Sequence, residues 1–188
     1  MKNAALLIAC AAALPLAACK KSGEVDAKNA TASEVAKKVQ EAGADGTFVN
    51  PGLWESKVTI DEMTMPGMPA GAAAQMKGLT GQVQTHKSCL TPDEVKRPKE
   101  GFFTGDDKNC RYDHFTMGGG KIDAQMTCQA REKGDAVMKM TMAGTYSGDS
   151  YHMEMGMSSD AGDTLGKGMA MKMRVDAQRV GQCSGDEG

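Results

Sequence analysis

Apolar and polar side chains alternate along most of this chain, and the alternation predicts strands. Trp54, Ser56, Val58 and Ile60 alternate with Glu55, Lys57, Thr59 and Asp61, the period-two pattern of a half-buried strand. Similar stretches run from about 80 to 89, then 109–117, 121–131, 136–146, 150–158 and 168–180. Turn residues separate the later ones at Lys133-Gly134, Ser147-Gly148-Asp149 and Asp160 to Gly168. Residues 63–78, with two prolines and many small side chains, read as a loop. Thr91-Pro92-Asp93-Glu94 starts a short helix: Thr91 caps it, Pro92 takes the first helical position, Glu94 reaches back, and Pro98 ends it. Seven strands with so little helix predict an all-β fold. A strongly curved antiparallel sheet or partly closed barrel is expected, because one apolar face must be covered.

The first 46 residues read differently. Met1-Lys2-Asn3 is a short positive start, and Ala4 to Leu14 is apolar but too short to span a bilayer permanently. Leu16-Ala17-Ala18-Cys19 follows, with small residues before a cleavage point. This stretch resembles the bacterial lipobox, which implies removal of 1–18 (Cys10 included), a diacylglycerol on the Cys19 thiol and an acylated new amino terminus. Three acyl chains exceed what stable anchoring needs. A residue other than Asp after the cysteine, here Lys20, resembles the outer-membrane sorting signal. The expected location is therefore the periplasm-facing envelope, the outer membrane ahead of the inner. Residues 19–46 are polar and small and read as a lipidated tether. A weak helix over Ser33 to Ala42 is expected within it, with Ser33 as cap and Val35 and Val39 one turn apart. The β domain is then 47–188.

Outside the signal and Cys19, four cysteines remain, Cys89, Cys110, Cys128 and Cys183. An even number in an exported chain predicts two disulfides. If Gly118-Gly119-Gly120 forms a three-residue hairpin loop, Met117 faces Lys121, Tyr112 faces Met126 and Cys110 faces Cys128. Directly opposed strand residues are close enough to bridge. Cys89 then pairs with Cys183. No Cys-x-x-Cys occurs, and no Cys or His spacing suits zinc.

Three segments place methionine at every second position: Met138, Met140, Met142; Met153, Met155, Met157; and Met169, Met171, Met173. Each set faces one side of its strand. A two-residue turn at Gly148-Asp149 sets Tyr146 against Tyr151, Met142 against Met155 and Met140 against Met157. Across the 158–168 loop, Met157 then faces Met169, Met155 faces Met171 and Met153 faces Met173. A three-residue turn at Lys133 to Asp135 would add Met126 beside Met142, and a two-residue turn would break that match. Lys139, Thr141, His152, Glu154, Lys172 and Arg174 occupy the opposite, solvated face.

Composition makes this grid the central question. After residue 18 the chain has 15 Met against 16 Leu, Ile and Val together, so without methionine there is hardly a core. The reading taken is a core face, with Met140, Met155 and Met171 deeply buried, since methionine packs irregular gaps. A second reading is a pocket for an apolar, lipid-like ligand, with Trp54 as an added lining residue. A third is soft-metal binding, because thioethers select Cu(I). For that, the loop cluster Met63, Met65 and Met68, with Met76 nearby, is better placed than a buried sheet.

The 188 residues carry a net charge of −2, which argues against nucleic acid. No apolar run beyond the N-terminus is long enough to span a membrane. His86, His114 and His152 are isolated and read as surface strand positions, and Trp54 as a core anchor. No catalytic order of residues is recognisable, and Gly118 to Gly120 does not lead from a strand into a helix, so it is no phosphate loop.

Several stretches resemble the proteobacterial DUF3617 family: Pro51-Gly52-Leu53-Trp54-Glu55, Cys89-Leu90-Thr91-Pro92, Cys110-Arg111-Tyr112, Gly118-Gly119-Gly120, Met126-Thr127-Cys128, Gly144-Thr145-Tyr146 and Arg179-Val180-Gly181-Gln182-Cys183. The resemblance implies an exported β domain and supplies no activity. The expected protein is a non-enzymatic, lipid-anchored envelope module with no cofactor, partnered by the membrane and by an apolar small molecule or an envelope protein.

Overall fold

The computed structural model describes residues 23–43, 48–96, 109–129, 137–160 and 168–185. Residues 1–18, read as a signal, Cys19, Pro98, and the expected turns at Lys133 to Asp135 and across most of 160–168 lie outside the described residues. Eight antiparallel strands form one open sheet: β1 (Val25–Ala30), β2 (Gly52–Thr64), β3 (Val83–Leu90), β4 (Cys110–Gly118), β5 (Lys121–Gln129), β6 (Val137–Tyr146), β7 (Ser150–Asp160) and β8 (Met169–Gly181). Their order is β1-β4-β5-β6-β7-β8-β2-β3, so β1 and β3 are the edges. The helices are α1 (Ala32–Ala42), α2 (Ala70–Lys77) and α3 (Pro92–Lys96). The fold is all-β and antiparallel as the alternation predicts, with one strand more than expected.

The added strand comes from the segment read as a tether. Val25, Ala27 and Ala30 are buried, and β1 pairs with β4. Asn29, held at φ 47°, breaks the alternation, and the Arg111 guanidinium bonds its carbonyl and side chain. Small side chains and a broken period hide this strand from a pattern reading. The helix begins one residue earlier than expected and is capped by Thr31, not Ser33. Thr31 Oγ1 accepts from the Glu34 N–H, and the Glu34 carboxylate accepts from the Thr31 N–H at 2.7 Å, a reciprocal capping box. Val35, Ala36 and Val39 then pack into the same core as Phe115 and Tyr112. The folded unit therefore starts before residue 47.

The expected register holds at the cysteines and slips elsewhere, by one residue beyond a bulge in β4 and by two in β5–β6 and β7–β8. Cys110 faces Cys128 and Tyr112 faces Met126, but a bulge between Tyr112 and His114 shifts the rest, so Gly118 pairs with Lys121. The loop is thus the two residues Gly119 and Gly120, at φ 57° and 76°. Both central positions with positive φ match the type I′ hairpin turn, which suits strand twist. Disulfides join Cys110 to Cys128 and Cys89 to Cys183, as the register argument predicts. Tyr146 faces Tyr151 and Met142 faces Met155, also as expected. Between β7 and β8 the pairing runs two residues further: Ser159 faces Met169, Met157 faces Met171 and Met155 faces Met173. Met126 faces Met140, not Met142. A two-residue slip preserves the face, because the side-chain period is two.

The stretch read as a loop over 63–78 is a second correction. β2 runs on to Thr64, and Ala-rich α2 follows it. The next strand starts at Val83, later than Thr80. The capping box at α3 is as expected, with the Thr91 N–H and hydroxyl both donating to Glu94 Oε2.

Candidate functional site

Chaining the strand registers turns the methionine pairs into rows across the sheet. One row reads Ala30, Tyr112, Met126, Met140, Met157, Met171, Met63, from β1 through β2. Its last five members are methionines on five adjacent strands. The next row reads Ala27, Phe115, Ala124, Met142, Met155, Met173, Ile60. Met138 and Met169 lie beyond the first row, and Met153 beyond the second. Sequence patterning missed Met63 in this row. A bulge between Ile60 and Glu62 switches the face of β2, so an odd-numbered residue joins the even-numbered ones.

Burial along a row changes sharply. Phe115 is fully buried, Tyr112 and Ala124 nearly so, and Met126 is 5% exposed. Met138, Met140, Met142, Met153, Met155, Met157, Met169, Met171 and Met173 are only half-buried. This corrects the expectation of a deeply buried grid. The cause is coverage. Eight strands at about 4.8 Å spacing make a sheet roughly 34 Å wide, while a helix with its side chains is about 10 Å across. Helix α1 packs on β1 and β4 and shares their core with β5, and the described residues place no second layer over β7 and β8.

The face that the described residues leave uncovered holds a shallow apolar depression of about 170 Å³, lined chiefly by Met126, Met140, Met142, Met155, Met157 and Met171. It is smaller than the several hundred Å³ of an enclosed ligand pocket. No ionisable side chain lines it apart from Tyr112, whose phenol burial pushes up to about 12, keeping it neutral. Trp54 is buried at one end of this face, not in the depression. Its ring stacks on Tyr151 with centroids 5.6 Å apart, and its Nε1 donates to the Asn50 carbonyl at 3.0 Å. Phe48 packs edge-on against Tyr146 beside them.

The opposite face is polar and paired. His114 donates to Asp123 at 2.6 Å, and His152 donates to Asp176 at 2.7 Å with Glu154 at 3.6 Å. The bond to Asp176 raises the His152 pKa above its ordinary value, and burial opposes it slightly. Hydrogen bonds from Gln125 and Thr127 hold the Asp113 carboxyl low. Among the described residues no three His, Cys, Asp or Glu side chains gather as a metal site.

The profile of a family described only as a protein of unknown function, DUF3617, matches residues 49–183. The chain belongs to the DUF3617 family. The match spans all four bridged cysteines and the whole methionine face, and leaves β1 and α1 outside it. The cover over one half of the sheet thus lies N-terminal to the DUF3617 region. No curated protein and no solved structure matches the chain.

Proposed function

We propose that this DUF3617 protein is a non-enzymatic, lipid-anchored protein of the bacterial envelope that holds an apolar chain, such as a lipid acyl group, on its methionine face. The observation that carries the reading is the five-strand methionine row, free of charge and half-buried at every member beyond Met126. Thioether side chains are unbranched and deformable, so they adapt to chains of varied shape. Each methylene buried contributes about 0.8 kcal/mol, so eight of them supply about 6 kcal/mol before the cost of association. That favours an exchangeable complex over a permanent one.

Position supports the same reading. β1 starts at Val25, only six residues after Cys19. A chain of that length reaches at most about 22 Å. A lipid on Cys19 would hold the sheet close to the bilayer surface, where acyl chains are at hand.

Titration with a fluorescent fatty acid tests the face. The parent and Met155→Leu should bind, and Met155→Asp should not, because it sets a charge in the centre of the depression. Equal binding by the Asp variant, or none by the parent, refutes the apolar-ligand reading. The anchor is tested separately: Cys19→Ser should release the protein from membranes, and unchanged fractionation with unchanged mass rules out lipidation.

A further inference from the structure

A second cleft, of about 580 Å³, opens where the end of β2 meets α2, and Met63, Met65, Met68 and Met76 all line it. We propose that these four thioethers bind one soft monovalent cation of the Cu(I) or Ag(I) kind. The local backbone brings the four methionines to one cleft. Pro66 and Gly67 form a turn, with Gly67 at φ 81°. Met65 and Met68 stand at the two ends of that turn, so their Cα atoms lie within about 7 Å. Met63 is two residues before Met65, on the same side of an extended segment. Met76 is the one residue of α2 that is half-buried. The Gly81 N–H donates to the Ile60 carbonyl at 2.8 Å and closes the excursion at its base.

The donor chemistry selects the ion. Asp61 and Glu62 also border the cleft, but Asp61 pairs with Arg174 at 3.2 Å and Glu62 with Lys172 at 2.8 Å. With those carboxylates engaged, the donors left are four neutral sulfurs and the hydroxyls of Thr64 and Thr80, a set that suits soft cations better than calcium or magnesium. Lys77 at the rim further disfavours a hydrated divalent ion. The segment also has freedom to close on a guest. α2 buries no residue, and Met65 is 38% exposed, so the thioethers can converge without opening a packed core.

Ag(I) is the probe, since it needs no reductant and leaves both disulfides closed. The purified chain, any free thiol first capped with iodoacetamide, is titrated against a competing chelator. One Ag(I) per chain is expected. Met65→Leu with Met68→Leu should weaken it by about tenfold or more while the urea midpoint stays put, because the thioethers are lost and the volume is kept. Met65→Leu alone, at an exposed position, should show part of the same loss. Met155→Leu should bind Ag(I) like the parent, which separates this cleft from the acyl-chain face. Absence of binding, binding undiminished in the double variant, or binding lost in Met155→Leu overturns the proposal.

Discussion

The two halves of the sheet use the same rows of positions and fill them differently. Under α1 the rows hold rigid side chains of alternating size: Tyr112 beside Ala30, and Phe115 between Ala27 and Ala124. Tyr112 and Phe115 meet edge to face with centroids 5.4 Å apart. Beyond Met126, where no described layer faces the sheet, the same rows become methionine. A facing helix fixes the shape each side chain must fill, and stiff residues then interlock. An uncovered face has no such mould. Flexible side chains that lie over one another shield themselves there, which accounts for nine methionines half-buried together.

Truncation breaks the comparison most directly in the covered half. Phe115→Ala should cost about 3–5 kcal/mol, since the ring is fully buried and the site cannot collapse. Urea denaturation measures it. A loss below about 1 kcal/mol would mean that α1 does not form a real core with β4.

Within one residue type the contrast is sharper. Met126 and Met155 sit on neighbouring rows, one buried and one half-buried. Met126→Ala should cost about 2–5 kcal/mol, as expected for a closed site. Met155→Ala should cost less than about 2 kcal/mol, because water or neighbouring thioethers fill the space. Equal costs would show that the methionine face is packed as tightly as the core, and would weaken the case for a ligand there.

The strands and bridges were legible because they rest on local rules. Alternation gave β4 to β8 within a few residues, and the symmetry of Cys110 and Cys128 about Gly119 gave their pairing. The three-residue loop behind that pairing was wrong, yet the bulge near Asp113 restored the count at the cysteines. What stayed hidden depends on tertiary context. β1 has only Val25, Ala27 and Ala30 to announce it. Alanine-rich α2 has no apolar periodicity, so it read as loop. Whether the methionine face is covered depends on the reach of α1, which no residue pattern encodes.

The smallest expected effect concerns the polar face, which both halves share. His152 in β7 donates to Asp176 in β8, behind the open methionines, as His114 does to Asp123 behind the covered core. Asp176 also has Arg174 at 3.6 Å, and Glu154 stands on the other side of the ring. The folded pKa of His152 is raised, so the imidazolium pair adds stability that is complete below the unfolded value near 6.5. That stability disappears as pH rises through the raised folded value. The side chains are well exposed, which keeps the gain small. The urea midpoint of the parent should therefore exceed that of His152→Gln by more at pH 5.5 than at pH 8. A gap independent of pH would show that the pair acts by packing alone. Fatty-acid binding should be the same in both proteins, because His152 faces away from the methionines; a change would mean that the two faces of the sheet are coupled.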